Sequence, residues 1–213
     1  MITKILKTDI DWVDVKNSCR TTVNKESTDK EPTDTFKRKI LMAEHSPIRQ
    51  LRVTWEWAGI KSWIATHYVR HHEGVEKWVS TQRSDRTGVY RNQLTQDAPV
   101  TIKIEANAQA LINMAKVRLC YQAADETRKL MEDLKLTIGN EADKDIAYMM
   151  VPQCVYRGGC PEFAMCKEQL YTKLTSFAAR NNLAFDTPQH RYAAYNAYFA
   201  QQQKENMYRK DGD

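Results

Sequence analysis

Residues 50–57 read QLRVTWEW, in which Leu51, Val53, Trp55 and Trp57 alternate with Arg52, Thr54 and Glu56. Period two in a run of β-branched and aromatic residues predicts a strand with one face covered and the other polar. Gly59 punctuates the run, and Ile60, Trp63, Ile64, His67 and His71 then recur at helical spacing, which predicts a helix over 61–71. The surrounding chain of 213 residues is 42% hydrophobic and 28% charged, which argues against a wholly disordered polymer and allows one compact unit, with or without an appendage. No apolar run approaches the ~20 residues that span a bilayer. The opening MITKILKTDIDWVD carries acids and no apolar h-region. Five cysteines, an odd count, argue against a disulfide framework. The expectation is a soluble intracellular protein with no membrane partner. A formal charge of +5 favours anionic partners, nucleotides or nucleic acid, without choosing between them.

Working outward, residues 1–40 suggest an initial strand or arm and a surface loop over 24–34 (NKESTDKEPTD). A short helix over 36–43 leads to His45-Ser46-Pro47. Residues 72–100 follow no regular pattern, and a loop of that length in a compact protein points to function, with Trp78, Val79 and Tyr90 favouring partial packing. Residues 101–136 hold the longest helical pattern, striped by Ala108, Leu111, Ile112, Ala115, Leu119 and Ala123, with Gly139 as its stop. A helix over 141–150, a Gly-rich turn over 154–160 and a helix over 168–181 follow. Tyr192, Tyr195, Tyr198 and Phe199 keep helical spacing near the end. The division expected is one α/β domain over 1–185 and a helical, tyrosine-rich tail over 186–213.

Three constellations could carry chemistry. Arg70-His71-His72 closes the helix over 61–71 and precedes Ser80-Thr81-Gln82-Arg83-Ser84-Asp85-Arg86. Guanidinium forks bind phosphate bidentately and hydroxyls fill the remaining acceptor sites; equally, these arginines could pair with Glu73, Glu76 and Asp85 in a solvated loop. Asn107, Gln109, Asn113 and Arg118 lie on or near the margins of the long apolar stripe, where amides either satisfy backbone or address a ligand. Cys154-x5-Cys160-x5-Cys166, spaced around Gly158-Gly159, suits Zn²⁺ with one further ligand from Cys120, His45, His67, His71, His72 or His190. Buried thiols packing as small hydrophobes fit the same spacing. GxGxxG, Walker A, HExxH and GxSxG patterns are absent, which removes the basis for the ordinary nucleoside-triphosphate and hydrolase readings.

Over about residues 44–128 the chain resembles the flavin-dependent thymidylate synthases. Arg70-His71-His72 and, after an expanded spacer, Ser80-Thr81-Gln82-Arg83-Ser84-Asp85-Arg86 are similar to the family signature RHRxxSxNExSxRY. Asn107-Ala108-Gln109-Ala110-Leu111-Ile112-Asn113 with Val117-Arg118 resembles its NARSLxNFxxLR helix, and His45-Ser46-Pro47 its approach to the first of these strands. The chain departs from the pattern at His72, Thr87 and Gln109, where the family carries Arg, Tyr and Arg.

The resemblance implies an α/β fold of the α+β type, a mixed or antiparallel sheet flanked by helices. It implies that Ser46, Arg70, His71, His72, Asn107 and Asn113 contact FAD. Ser84 and Arg86 would hold the phosphate and sugar side of dUMP, with Gln82 and Asp85 nearby and Arg91 as a further phosphate contact. His67 falls where the family carries Gln in the substrate site. Arg118 would sit against the pyrimidine and favour ionisation at N3, so the catalytic pair is Arg118 and Ser84. The implied reaction is reductive methylation of dUMP to dTMP with CH2-tetrahydrofolate and NADPH as co-substrates, or hydroxymethylation by the same fold. The implied assembly is a homotetramer in the cytoplasm, the host's if the chain is a phage-type member, with no nucleic-acid partner. A different class stands beside this reading: a zinc-stabilised nucleic-acid or protein-binding module with Arg83, Arg86, Arg91 and Arg157 facing phosphates.

Overall fold

Alternation at 50–57 becomes the central wall of the molecule. In the computed structural model, which describes residues 2–210 and side chains to residue 205, β2 (Arg52–Lys61) buries Val53, Trp55 and Trp57 completely on one face. β4 (Pro99–Asn107) pairs with it antiparallel, setting Ala106 opposite Val53, Ile104 opposite Trp55 and Ile102 opposite Trp57. Directly opposed residues share a face, so these six side chains form one apolar layer. Burying a side chain of this kind stabilises by roughly 1.5–3 kcal/mol. β1 (Lys4–Asp9) and β3 (Val75–Val79) complete a sheet of order β1-β2-β4-β3, antiparallel throughout. Trp57 Nε1 donates to Thr3 Oγ1 at 2.7 Å, tying the central strand to the chain just before β1.

Helices cover the apolar face. α1 (Trp12–Thr21) starts where the Asp11 side chain accepts from Asp14 N, and α2 (Asp34–Met42) where Thr33 caps Phe36 N. A 3-10 turn, Ser46–Gln50, leads into β2, and α3 (Ser62–Val69) leaves it after a register shift at Gly59, whose φ of +69° suits glycine. α4 (Ser84–Thr87) is a single turn. α5 (Ala108–Arg118) begins at Asn107, whose Oδ1 accepts from Ala110 N at 2.9 Å. α6 (Asp125–Glu141) and α7 (Lys144–Met149) pack on each other, followed by α8 (Gln153–Arg157), α9 (Leu170–Arg180) and α10 (Pro188–Lys210). α10 lies against α7, α8 and α9, and its Tyr192, Tyr195 and Phe199 enter the same core as the sheet. Residues 211–213 of the expected tail lie outside the described residues. No helix among the described residues is long and apolar enough to cross a membrane.

One buried polar group stands out in the helical layer. Lys135 of α6 donates to Asn196 Oδ1 at 2.8 Å and to Ala147 O at 2.5 Å, close to the rings of Tyr195 and Phe199. No carboxylate pairs with it among the described residues, and burial pushes its pKa down to about 7.

Four sequence expectations change, the first being the turn expected over 154–160, which is helix α8 as far as Arg157 and turns only at Gly158. The pattern over 101–136 is a strand and two helices: Thr101, Lys103 and Glu105 alternate with buried Ile102, Ile104 and Ala106, Asn107 ends the strand and caps α5, and a turn over 119–124 separates α5 from α6. Gly139 sits inside α6, which runs on to Glu141, because Asp143 takes the next start by accepting from Asp145 N and Ile146 N. Residues 72–100 are not patternless; they hold β3, α4 and a 3-10 turn, Arg91–Gln93.

Candidate functional site

The C-terminal ends of α3 and α5 meet. Arg118, the last residue of α5, donates from a terminal guanidinium nitrogen to the His67 carbonyl at 2.5 Å and from Nε to His71 Nε2 at 3.0 Å. The first bond places a cation on an unsatisfied carbonyl at the end of α3. The second fixes a tautomer. Arginine only donates, so His71 Nε2 must offer its lone pair and the ring is neutral with its proton on Nδ1. Burial, then the Arg118 guanidinium, then Lys77 and His72, push the His71 pKa down to about 4, in agreement with that neutral form. His67 is lowered by burial and by Arg118 and Arg70, and its Nδ1 lies 2.8 Å from Thr127 Oγ1. Lys77 of β3 holds the triplet from the other side, donating to the His71 carbonyl at 2.6 Å with His72 Nδ1 at 3.4 Å. Arg70, the C-cap of α3, and His72 are exposed. Arg118 forms part of the wall of a cavity of about 490 Å³ shared with Lys116, Gln122, Gln153 and Arg157.

A second cavity, about 480 Å³, opens beside the start of α5 and is lined by Arg49, Glu73, Gly74, Asn107, Gln109 and Asn113, with Glu44. Both volumes lie within the range of small-molecule sites. Gly74, at φ +69°, lies so close to Asn107 that a Cβ there would stand 2.4 Å from Nδ2. Glu44 accepts from Lys116 Nζ at 2.7 Å and from Gln109 Nε2 at 2.5 Å, while Asn113 Oδ1 accepts from both nitrogens at 3.3 Å. The Glu44 carboxylate is therefore already neutralised. Asn107 Nδ2 and the Arg49 guanidinium make no hydrogen bond to protein among the described residues. Free amide and guanidinium donors around a cavity of this size suit the heteroatoms and phosphates of a flavin nucleotide, so these residues fit that group. Ser46 is exposed at the start of the turn that carries Arg49.

The segment after β3 is organised differently. Arg83 forks onto Asp85 at 3.0 and 2.8 Å, Arg86 Nε lies 3.7 Å from the same carboxylate, and Ser84 Oγ accepts from Arg91 N at 2.9 Å. Arg86 and Arg91 are exposed, Gln82 and Ser84 half-buried, and this segment lines neither cavity. One chain thus gathers His67, His71, His72 and Arg118 at one junction and Asn107 and Asn113 at the adjoining cavity. It leaves Gln82, Ser84, Asp85, Arg86 and Arg91 apart from both. Cys154, Cys160 and Cys166 are free thiols, and no three His, Cys, Asp or Glu side chains among the described residues stand in metal-ligand geometry as placed. Sequence reasoning missed Glu44, Arg49, Gly74 and Lys116. The signals were slight: a lone glycine just before β3, and a lysine on the apolar side of α5 three residues after Asn113.

No protein-family model matches this chain, and no curated protein matches it. Solved structures do match. A flavin-dependent thymidylate synthase, ThyX, from Helicobacter pylori complexed with FAD and dUMP superimposes with a TM-score of 0.56 at 11% identity, over 68% of this chain and 98% of that one. The fold is that of the flavin-dependent thymidylate synthases. A second structure of the Helicobacter pylori enzyme with FAD and dUMP gives a TM-score of 0.57 at 10% identity, covering 70% and 99% of the two chains. A UMP/dUMP methylase, PolB, from Streptomyces cacaoi bound with 5-Br dUMP gives 0.56 at 11%, covering 71% and 95%. Nearly the whole length of each of these chains is covered, against about 70% of this one.

Proposed function

We propose that this chain holds FAD in the cavity beside Asn107 and Asn113, holds a pyrimidine nucleoside monophosphate beside Arg118, and modifies that nucleotide at C5. The first reading is reductive methylation of dUMP to dTMP with CH2-tetrahydrofolate and NADPH; hydroxymethylation of dUMP is the alternative on the same site. The observation that carries it is the Arg118–His71 bond within this fold. Arg118 leans on a neutral imidazole and a backbone carbonyl and is paired with no carboxylate among the described residues. Its full charge is therefore available to a substrate. Of about five N–H groups on a guanidinium, two are engaged, which leaves donors for a pyrimidine carbonyl. Placed against that ring, the cation favours loss of the N3 proton, and the electron density so released makes C5 a carbon nucleophile. Bound FAD supplies the reducing equivalents. The chain's own work is positioning: Asn107, held by its cap and by Gly74, Asn113, Arg49, Ser46, Arg70 and His72 around the flavin, and His67 and His71 around Arg118.

Ser84, Arg86 and Arg91, with Gln82 and Asp85, are proposed to serve the phosphate side from a neighbouring copy in a homotetramer, since their own copy does not bring them to Arg118. The purified protein is expected to be yellow, to shift its flavin spectrum with dUMP, and to release tritium from dUMP labelled at C5; product mass separates methyl from hydroxymethyl transfer. A colourless protein that takes up neither FAD nor dUMP overturns the reading.

A further inference from the structure

Four of the five cysteines, Cys120, Cys154, Cys160 and Cys166, line a single small cavity of about 20 Å³ whose remaining walls include Pro161, Met165 and Leu170. That is room for one water-sized occupant. None of the four is in a disulfide. They come from three places: the turn directly after α5, the first turn of α8, and the segment between α8 and α9. Cys154 O accepts from Gly158 N and Gly159 N, both at 3.0 Å, and Gly158 takes φ +79°, so the chain doubles back after α8 and returns Cys160 to Cys154.

The segment over 158–169 has no helix or strand, and Cys166 is its only buried residue. Its large apolar side chains do not hold it down: Phe163 is fully exposed and Met165 is 59% exposed. Gln122 Nε2, from the turn after α5, donates to Ala164 O at 2.8 Å, and the one buried side chain the segment itself sends inward is sulfur. Cys166 Sγ accepts from Leu170 N at 3.4 Å at the start of α9, which aims it at the same turn.

No histidine lines this cavity, and His67, His71 and His190 are bonded to Thr127, Arg118 and Asp186.

We infer that Cys120, Cys154, Cys160 and Cys166 are the four ligands of a structural zinc ion that staples the 158–169 segment to the turn after α5. The four thiols share the walls of one cavity without standing in metal-ligand geometry as placed. Binding draws them onto a tetrahedron with Zn–S distances of about 2.3 Å. The step is Zn²⁺ plus four thiols giving a tetrathiolate complex and four protons, with no change of oxidation state. The cavity wall beside Arg118 includes Cys120, Gln122 and Pro161, so the staple also fixes that wall. The inference stands apart from the flavin reading, because metal content is measured without any nucleotide.

The test uses the full chain produced with zinc. Elemental analysis after desalting should give one zinc per chain, and Co²⁺ in its place should give thiolate-to-cobalt charge-transfer absorption. Zinc should protect the 158–169 segment from limited proteolysis and chelation should expose it. Cys120→Ser and Cys160→Ser should lose the metal, while Cys19→Ser, on α1, should keep it in full. Wild-type chain that retains no metal and shows the same thiol reactivity with and without zinc overturns the inference, as does a disulfide among the four in its place. Unchanged zinc content in Cys120→Ser overturns the ligand set. Should a serine variant fail to fold, the cobalt spectrum and thiol count of the wild-type chain still decide.

Discussion

Arg118 and Arg86 both read, from the sequence, as guanidiniums for a nucleotide, yet the chain builds their surroundings on opposite plans. Arg118 is half-buried, its two bonds go to neutral acceptors, and the elements around it, α3, α5 and β3, are each tied to the next. Arg86 stands in solvent beside Asp85, on a single helical turn whose hydrogen bonds stay within its own segment. The first surroundings are preorganised by folding. The second are a set of surface groups that acquire a geometry only against something else, which in a homotetramer would be another copy.

Substitution is the most forceful way to break that contrast. Arg118→Ala is expected to lower turnover by about 10² to 10³-fold in the tritium-release assay, with flavin retained, because a preorganised charge is lost from the reacting ring. Arg86→Ala should instead raise KM for dUMP by about tenfold with kcat largely kept, the size of one charge-assisted phosphate contact. Co-expressing the two variants should restore activity in mixed oligomers if the segments come from different copies. Equal losses in both, without rescue, would erase the contrast.

Two glycines sharpen it at the level of stability. Gly74 and Gly88 have nearly the same φ, +69° and +72°, but a Cβ at Gly74 meets Asn107 at 2.4 Å and one at Gly88 meets nothing within 4 Å. Gly88→Ala should cost about 1 kcal/mol, the backbone penalty alone, and Gly74→Ala about 2–3 kcal/mol with weakened FAD retention. Urea unfolding with flavin content measured alongside checks both.

The smallest effect is a pH slope. His71 has its folded pKa depressed to about 4, against about 6.5 in the unfolded chain. The unfolded state therefore takes up the proton first, and stability falls as pH drops from about 6.5 to about 4, with no further change below. The ring is only part-buried, so screening reduces the slope to on the order of 1 kcal/mol over that window. His71→Gln should flatten it in denaturant titrations across those pH values, and an unchanged slope would remove His71 as its source.

Much of this was legible in the residues themselves. The alternation of Val53, Trp55 and Trp57 gave β2 because a central strand with one covered face leaves no other reading, and the apolar spacing after Gly59 gave α3. The four-stranded antiparallel sheet and its covering helices agree with the fold that the family resemblance implied. β4 was hidden because its apolar residues run without a glycine or proline into the stripe of α5, and Asn107 serves both elements at once. β3 was hidden because it is a short edge strand that turns Trp78 to solvent beneath Lys103. At the candidate site, His71, Asn107, Asn113 and Arg118, singled out through the family resemblance, lie at the junction and its adjoining cavity. Side chains that depend on distant meetings were not legible: Glu44 reaches Lys116 across 72 residues, and no spacing rule announces such a pair.

Lys135 carries a consequence for the folding reaction as a whole. An amine that titrates near neutrality in the native chain and near 10.5 when unfolded must shed a proton as the helices close over it between those values. Assembly of the layer under α10 is thus an acid-releasing event. In calorimetry its apparent heat should follow the ionisation enthalpy of whichever buffer accepts that proton.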